Sequence, residues 1–209
     1  MSRCLMPRRT TPSYAILGLL ALQPWTTYEL AKQVQRSLNW FWPQAERKLY
    51  DEPKNLVADG LATARSETTG KRPRTVYDIT PGGREELARW LGDEPMPRSG
   101  NFEAMLKVFF SDGGSLEQLE TTLDRIEAEA LEKVRQLGAM AGKPALFPER
   151  AHISALCLEL YLEQELTVLR WSRWARGQVA SWESPRDPSS GDPATALAGI
   201  AHRAAQETG

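Results

Sequence analysis

Cysteine and histidine are both scarce in this 209-residue sequence, with two of each: Cys4, Cys157, His152 and His202. Two cysteines so far apart give no disulfide framework, and a reducing compartment is the default. Neither histidine has cysteine or carboxylate neighbours at metal-ligand spacing. Glycine-rich phosphate loops, nucleophile elbows and paired-acid motifs are missing as well. Asp51 and Glu52 are adjacent carboxylates, but successive helical residues do not face each other, so they read as solvated charges. The chain is therefore read as a non-enzyme with no metal and no cofactor. Long apolar runs are lacking too. Ala15–Leu22 is too short to span a membrane, and the basic start Met1–Thr11 has no convincing cleavage site. The expectation is a cytoplasmic protein with no membrane partner.

A strong charge of one sign is also absent, since the net charge is −1. The distribution says more than the sum. Residues 1–95 carry 14 basic and 11 acidic side chains (+3), and residues 96–209 carry 12 and 16 (−4). A basic front and an acidic back fit a nucleic-acid-binding half joined to a second module. Apolar residues at 41% and charged residues at 25% suit an ordinary globular protein of one domain or two small ones.

The local signals of the first half have a definite order. Thr11-Pro12 starts a helix, and Tyr14–Leu22 is apolar nearly all round, as in a helix buried on several sides. Thr26 with Glu29 has capping-box spacing and opens an amphipathic helix through Leu30, Val34 and Leu38. Tyr28 in its first turn reads as structural. An aromatic bend, Asn39–Trp42, leads to a third helix over Pro43–Asp59 that stops at Gly60. Pro53 lies inside that span and predicts a kink or break. Residues 61–66 and Thr75–Ile79 alternate as strands around a turn carrying Lys71, Arg72 and Arg74. Thr80-Pro81 then starts a fourth helix. Three helices, a hairpin and a helix make a winged helix-turn-helix.

These residues suit duplex DNA. Cations supply affinity through phosphates, and long polar side chains at the start of a recognition helix read base edges. Gln44, Arg47 and Lys48 occupy that stretch, with Tyr50 and Lys54 further along, nearer phosphates. Lys71, Arg72 and Arg74 can follow the backbone or enter a narrow minor groove, or else serve as a solvated turn. Tyr14, near a helix start, also suits a phosphate contact.

Three stretches resemble the PadR family of bacterial regulators. They are Ser13–Leu20 with Thr27–Leu30, then Leu49–Leu61, then Arg72–Arg84, and the likeness covers roughly residues 11–91. It implies a dimeric regulator, commonly a repressor, responding to small aromatic or hydrophobic compounds. It also implies DNA contacts by Tyr50 and the basic wing. Pro53 departs from the commonest family pattern, in which leucine or a similar residue stands there.

The second half begins after a linker at residues 93–101. Phe102–Phe110 reads as a short apolar helix. Ser115 with Gln118 is a second capping box, followed by a seam of Leu116, Leu119, Leu123, Ile126, Ala130, Val134 and Leu137. The last long helix, Glu149–Trp182, has one stripe at Ile153, Leu156 and Leu160 and another at Leu158, Leu162 and Leu169. One hairpin of helices cannot cover both, so a second copy is the expected partner, holding two winged helices ~34–36 Å apart on a pseudo-palindromic operator. Glu183–Pro193 reads as a mobile linker and Ala194–Gln206 as a weak helix.

The expected fold is mainly α: a winged helix with a two-stranded wing over 11–92, a helical dimerisation domain over 102–182 and a flexible tail over 183–209. Trp40, Trp42, Trp171 and Trp174 could line a site for a small aromatic effector, or simply pack in cores. A winged helix used as a protein–protein scaffold is the rival reading.

Overall fold

Thr10, with an extended backbone, precedes Pro12 in the first turn of helix α1 (Thr11–Leu20). The structure is a computed structural model and describes residues 9–38, 51–69, 72–96, 102–187 and 193–208. It divides into two compact units, residues 1–98 and 99–209.

In the first unit, α1 buries Tyr14, Ile16, Leu17, Leu19 and Leu20, as its all-round apolarity requires. A two-residue strand β1 (Trp25–Thr26) follows, and the Trp25 indole donates to the Leu19 carbonyl at 2.8 Å. Helix α2 (Thr27–Gln33) opens with the expected capping box. The Thr26 hydroxyl accepts from Glu29 N at 3.2 Å, and the Glu29 carboxylate accepts from Thr26 N at 2.8 Å. It runs on into a π-turn, Val34–Leu38, with Leu30 and Val34 buried.

Helix α3 (Glu52–Ala58) differs from the expected span Pro43–Asp59. Its described part begins at Glu52, beside Asp51, whose carbonyl accepts from Lys54 N and Asn55 N at 3.0 and 3.1 Å. Pro53 falls in the first turn, where its missing N–H has no helical partner to lose. The break allowed for at Pro53 is thus a helix start, with the proline ring buried.

Gly60, at φ 74°, turns the chain into strand β2 (Ala62–Thr69). Strand β3 (Arg72–Ile79) returns antiparallel, with Ala62 opposite Ile79 and Glu67 opposite Arg74. β1 pairs with the other edge of β3, Trp25 opposite Tyr77, so the order is β1-β3-β2. The sheet has three strands where two were expected. The extra strand has no sequence signature, because two residues carry no alternation. Helix α4 (Pro81–Leu91) is capped by Thr80, whose hydroxyl accepts from Gly83 N at 3.0 Å and donates to the Gly60 carbonyl at 2.8 Å.

In the second unit, helix α5 (Glu103–Phe109) and a short 3-10 turn lead to α6 (Leu116–Ala141), capped by the expected Ser115/Gln118 box. Helix α7 (Ala151–Val179) packs along α6. The seam read from sequence is the α6 core face: Leu119, Leu123, Ile126, Ala130 and Leu137 are buried. Ala175 and Val179 of α7 join this cluster. Glu127 bridges the helices by accepting from Arg173 and Arg176 at 2.9 and 3.1 Å, which holds its carboxyl below the usual range. After α7, Glu183–Asp187 form a tight turn where a mobile linker was expected, and Arg186 Nε donates to the Asp112 carbonyl at 2.7 Å. Helix α8 (Pro193–Thr208) follows the weak helix signal.

Candidate nucleic-acid interface

The surface of the first unit offers one cation on α3, Lys54, and a pair of arginines on the hairpin. Lys54 stands exposed in the first turn of α3 and meets Asp51 at 3.1 Å. α3 itself is held from behind. The Ser13 hydroxyl donates to Glu52, and Arg9 pairs with Asp59, so both ends of α3 are tied to the start of α1. The hydrophobic anchor between those ends is Leu56, fully buried.

On the hairpin, Arg74 and Arg65 converge on one carboxylate. Glu67 accepts from Arg65 Nε and from an Arg74 terminal nitrogen, each at 2.9 Å. Those two hydrogen bonds hold the Glu67 carboxyl below its ordinary range. Each guanidinium has five N–H donors in a fixed fork, so most remain for an incoming oxyanion. Arg65 was not singled out from sequence. The signal was its place two residues before Glu67, on the same strand face.

Tyr14 is not at the surface. It is 2% exposed, and its ring stacks on Trp90 with centroids 4.7 Å apart. Its hydroxyl donates to Glu86 at 2.8 Å and accepts from Arg89 at 3.1 Å. Burial, then the Glu86 bond, raise its pKa. Tyr14 therefore joins α1 to α4, and the expected phosphate contact is corrected: a ring sealed under Trp90 cannot reach one. Tyr28 is the reverse case. It was read as structural and is 74% exposed.

Several expected site residues lie outside the described residues: Gln44, Arg47, Lys48, Tyr50, Lys71, Trp40 and Trp42. Arg72 opens β3, and its side chain is likewise outside what is described. Of the other expected aromatics, Trp171 is half-buried against the α6–α7 core, while Trp174, three residues on, is 58% exposed. The expected interface leucines of α7 divide into two sets. Leu156 and Leu160 are exposed, and Leu158 and Leu162 are half-buried. Leu169 is buried within its own chain, so it is core and not a free interface residue.

Among the described residues no helix is long and apolar enough to cross a membrane, and no three His, Cys, Asp or Glu side chains gather into a metal-binding group.

Comparison with known proteins agrees with this geometry. Residues 16–89 match the transcriptional regulator PadR-like family, and residues 102–180 match the virulence activator alpha C-terminal family. The negative transcriptional regulator PadR of Bacillus subtilis is 34% identical over 99 residues, 46% of this chain and 54% of that protein. The chain thus aligns with about half the length of that relative. A Mycobacterium tuberculosis protein named "Probable transcriptional regulator Rv1176c" is 26% identical over 178 residues, 81% of this chain and 92% of its own. In three dimensions, Bacillus subtilis PadR in complex with operator DNA superposes with a TM-score of 0.73 at 26% identity, covering 81% of this chain and 99% of that one. The same regulator in complex with p-coumaric acid superposes at 0.63 with 25% identity, covering 83% and 99%. The likeness runs over both the winged helix and the long-helix unit, and residues 16–89 form a PadR-like domain.

Proposed function

We propose that this chain is a homodimeric transcriptional regulator that binds a pseudo-palindromic DNA operator, as a repressor released by a small aromatic or hydrophobic effector. In this reading residues 11–92 are the DNA-binding domain, residues 102–182 hold two copies together, and residues 183–209 are an appendage. The observation that carries it is the exposed Arg65–Glu67–Arg74 cluster on the hairpin of a PadR-like winged helix. Phosphate oxygens find charged forks there, held ready by a shared carboxylate. The Bacillus subtilis relative solved with operator DNA supports the nucleic-acid partner, and its complex with p-coumaric acid supports an aromatic effector. Base reading falls to Gln44, Arg47 and Lys48, with Tyr50, Lys54, Lys71, Arg72 and Arg74 on phosphates. Trp171 and Trp174, with Trp40 and Trp42, are the aromatic candidates for the effector.

Footprinting on the DNA flanking its own gene tests this, repeated with phenolic acids and over a salt series. The expected result is a protected pseudo-palindrome, lost on adding one of the acids. Affinity should fall steeply with salt, by ~0.9 in log–log slope for each phosphate neutralised. Weak binding that ignores salt would favour a protein-binding scaffold instead.

A further inference from the structure

Tyr28 leaves most of its ring in solvent although Leu30, two residues on, is fully buried. One helical turn further along α2, Lys32 is exposed, and Arg36 in the following π-turn is exposed as well. Steps of four residues bring Tyr28 and Lys32 onto one helix face. That face looks onto β3. Thr26, Thr27, Tyr28, Glu29, Lys32, Arg74 and Thr75 line one open groove of about 580 Å³.

The charges in and around this groove are unevenly committed. Among the described residues no carboxylate pairs with Lys32 or Arg36. The two nearby acids are already engaged. Glu29 accepts from the Thr26 backbone and hydroxyl, and Glu67 holds Arg65 and Arg74. The groove itself is lined by two cations (Lys32 and Arg74) and one anion (Glu29), a net charge of +1, and Arg36 follows one turn beyond Lys32. An open groove with a net positive charge suits a phosphodiester backbone better than an enclosed small molecule.

The geometry points to a second phosphodiester-binding strip, in which Tyr28 and Lys32 of α2 and Arg74 of β3 grip the DNA backbone beside the bases read by the α3 region. This rests on the DNA-binding reading above. The Tyr28 hydroxyl donates one hydrogen bond, Lys32 supplies a point charge, and Arg74 supplies its free guanidinium edge. Such contacts fix register and carry no sequence preference.

The test is fluorescence anisotropy of the full chain on two labelled duplexes, one carrying its own upstream region and one a scrambled duplex of equal length. Lys32→Gln should weaken both by the same factor, about sixtyfold near 0.1 M salt, because each protomer of the dimer loses one phosphate and the two together contribute ~1.8 to the salt slope. Tyr28→Phe should weaken both by a smaller common factor, and Lys143→Gln, with the same charge change in the other unit, should alter neither. Circular dichroism should report unchanged folding throughout. A wild type with a steep salt dependence whose Lys32→Gln and Tyr28→Phe variants bind as it does overturns this inference alone. A loss confined to the upstream duplex also overturns it, since that marks base reading. A wild type that binds neither duplex overturns both this inference and the reading beneath it.

Discussion

The two units solve the problem of burial differently. In the first, short elements close over one core from several sides. Tyr14, Ile16, Leu17, Leu20, Leu30, Val34 and Leu56 come from three helices and the π-turn, and all are sealed within the unit. In the second, burial is concentrated along one seam. α6 contributes buried residues from Leu119 to Leu137, whereas those of α7 are confined to its later half, Leu169, Ser172, Ala175 and Val179. None of the first ten residues of α7 is fully buried, and Leu156 and Leu160 remain 74% and 53% exposed. Two helices share only one interface, so a helix with apolar residues on two faces needs a third surface. The first unit closes over its own core, and the second leaves an apolar face uncovered.

The sharpest way to break that contrast is to charge the open face. Leu156→Glu with Leu160→Glu removes four leucines from a symmetric interface, at ~1.5–3 kcal/mol each, so association should weaken by about 6 kcal/mol or more. Sedimentation should then show monomers where the wild type is dimeric, while the first unit keeps its near-ultraviolet circular dichroism. A dimer that persists would mean that the exposed face is not the contact. Next in size is Leu17→Ala, expected to cost the first unit ~2–5 kcal/mol. Urea melts should show that loss unchanged over a wide range of protein concentration, as a self-contained core requires.

Tyr14→Phe keeps the ring on Trp90 and removes only the bonds to Glu86 and Arg89, so a loss of ~1 kcal/mol is expected in the same melts. The smallest effect is on pH, and it touches both units. Hydrogen bonds from Arg89 hold the Glu86 carboxyl below its ordinary range, and Arg173 and Arg176 do the same for Glu127. As pH falls, the unfolded chain takes up these protons before the folded one. Their stabilisation is therefore full above the ordinary carboxylate range and fades as pH drops through it towards the lowered folded values. Urea midpoints should fall modestly between about pH 6 and about pH 3, less so in high salt because these ion pairs are largely exposed.

The helices were legible from sequence wherever a cap and a period coincided. Thr26/Glu29, Thr80 and Ser115/Gln118 mark helix starts because the same side chains satisfy orphan backbone N–H groups in the fold. The α6 seam was legible because its partner lies along its whole length. What local pattern could not supply was the assignment of individual side chains to core or surface. Tyr14 and Tyr28 each lie in the first turns of a helix, and only the arrival of α4, some seventy positions after Tyr14, seals the one and not the other. Leu169 likewise looks like Leu162 on a helical wheel, yet only Leu169 is buried. Pro53 shows a third limit: a residue read as a helix interruption is equally at home as a helix beginning.

The smallest strand has a kinetic meaning. β1 is two residues long, yet Trp25 and Tyr77 lie about fifty positions apart, with α2, α3 and β2 in the loop between them. Closing such a loop costs about 3.5 kcal/mol of chain entropy beyond a constant term. The β2–β3 hairpin and the α6–α7 pair join neighbours along the chain and escape most of that barrier. Folding of the first unit is therefore expected to be timed by its long-range closures, β1 on β3 and the still longer contact of Tyr14 with α4, and not by the hairpin.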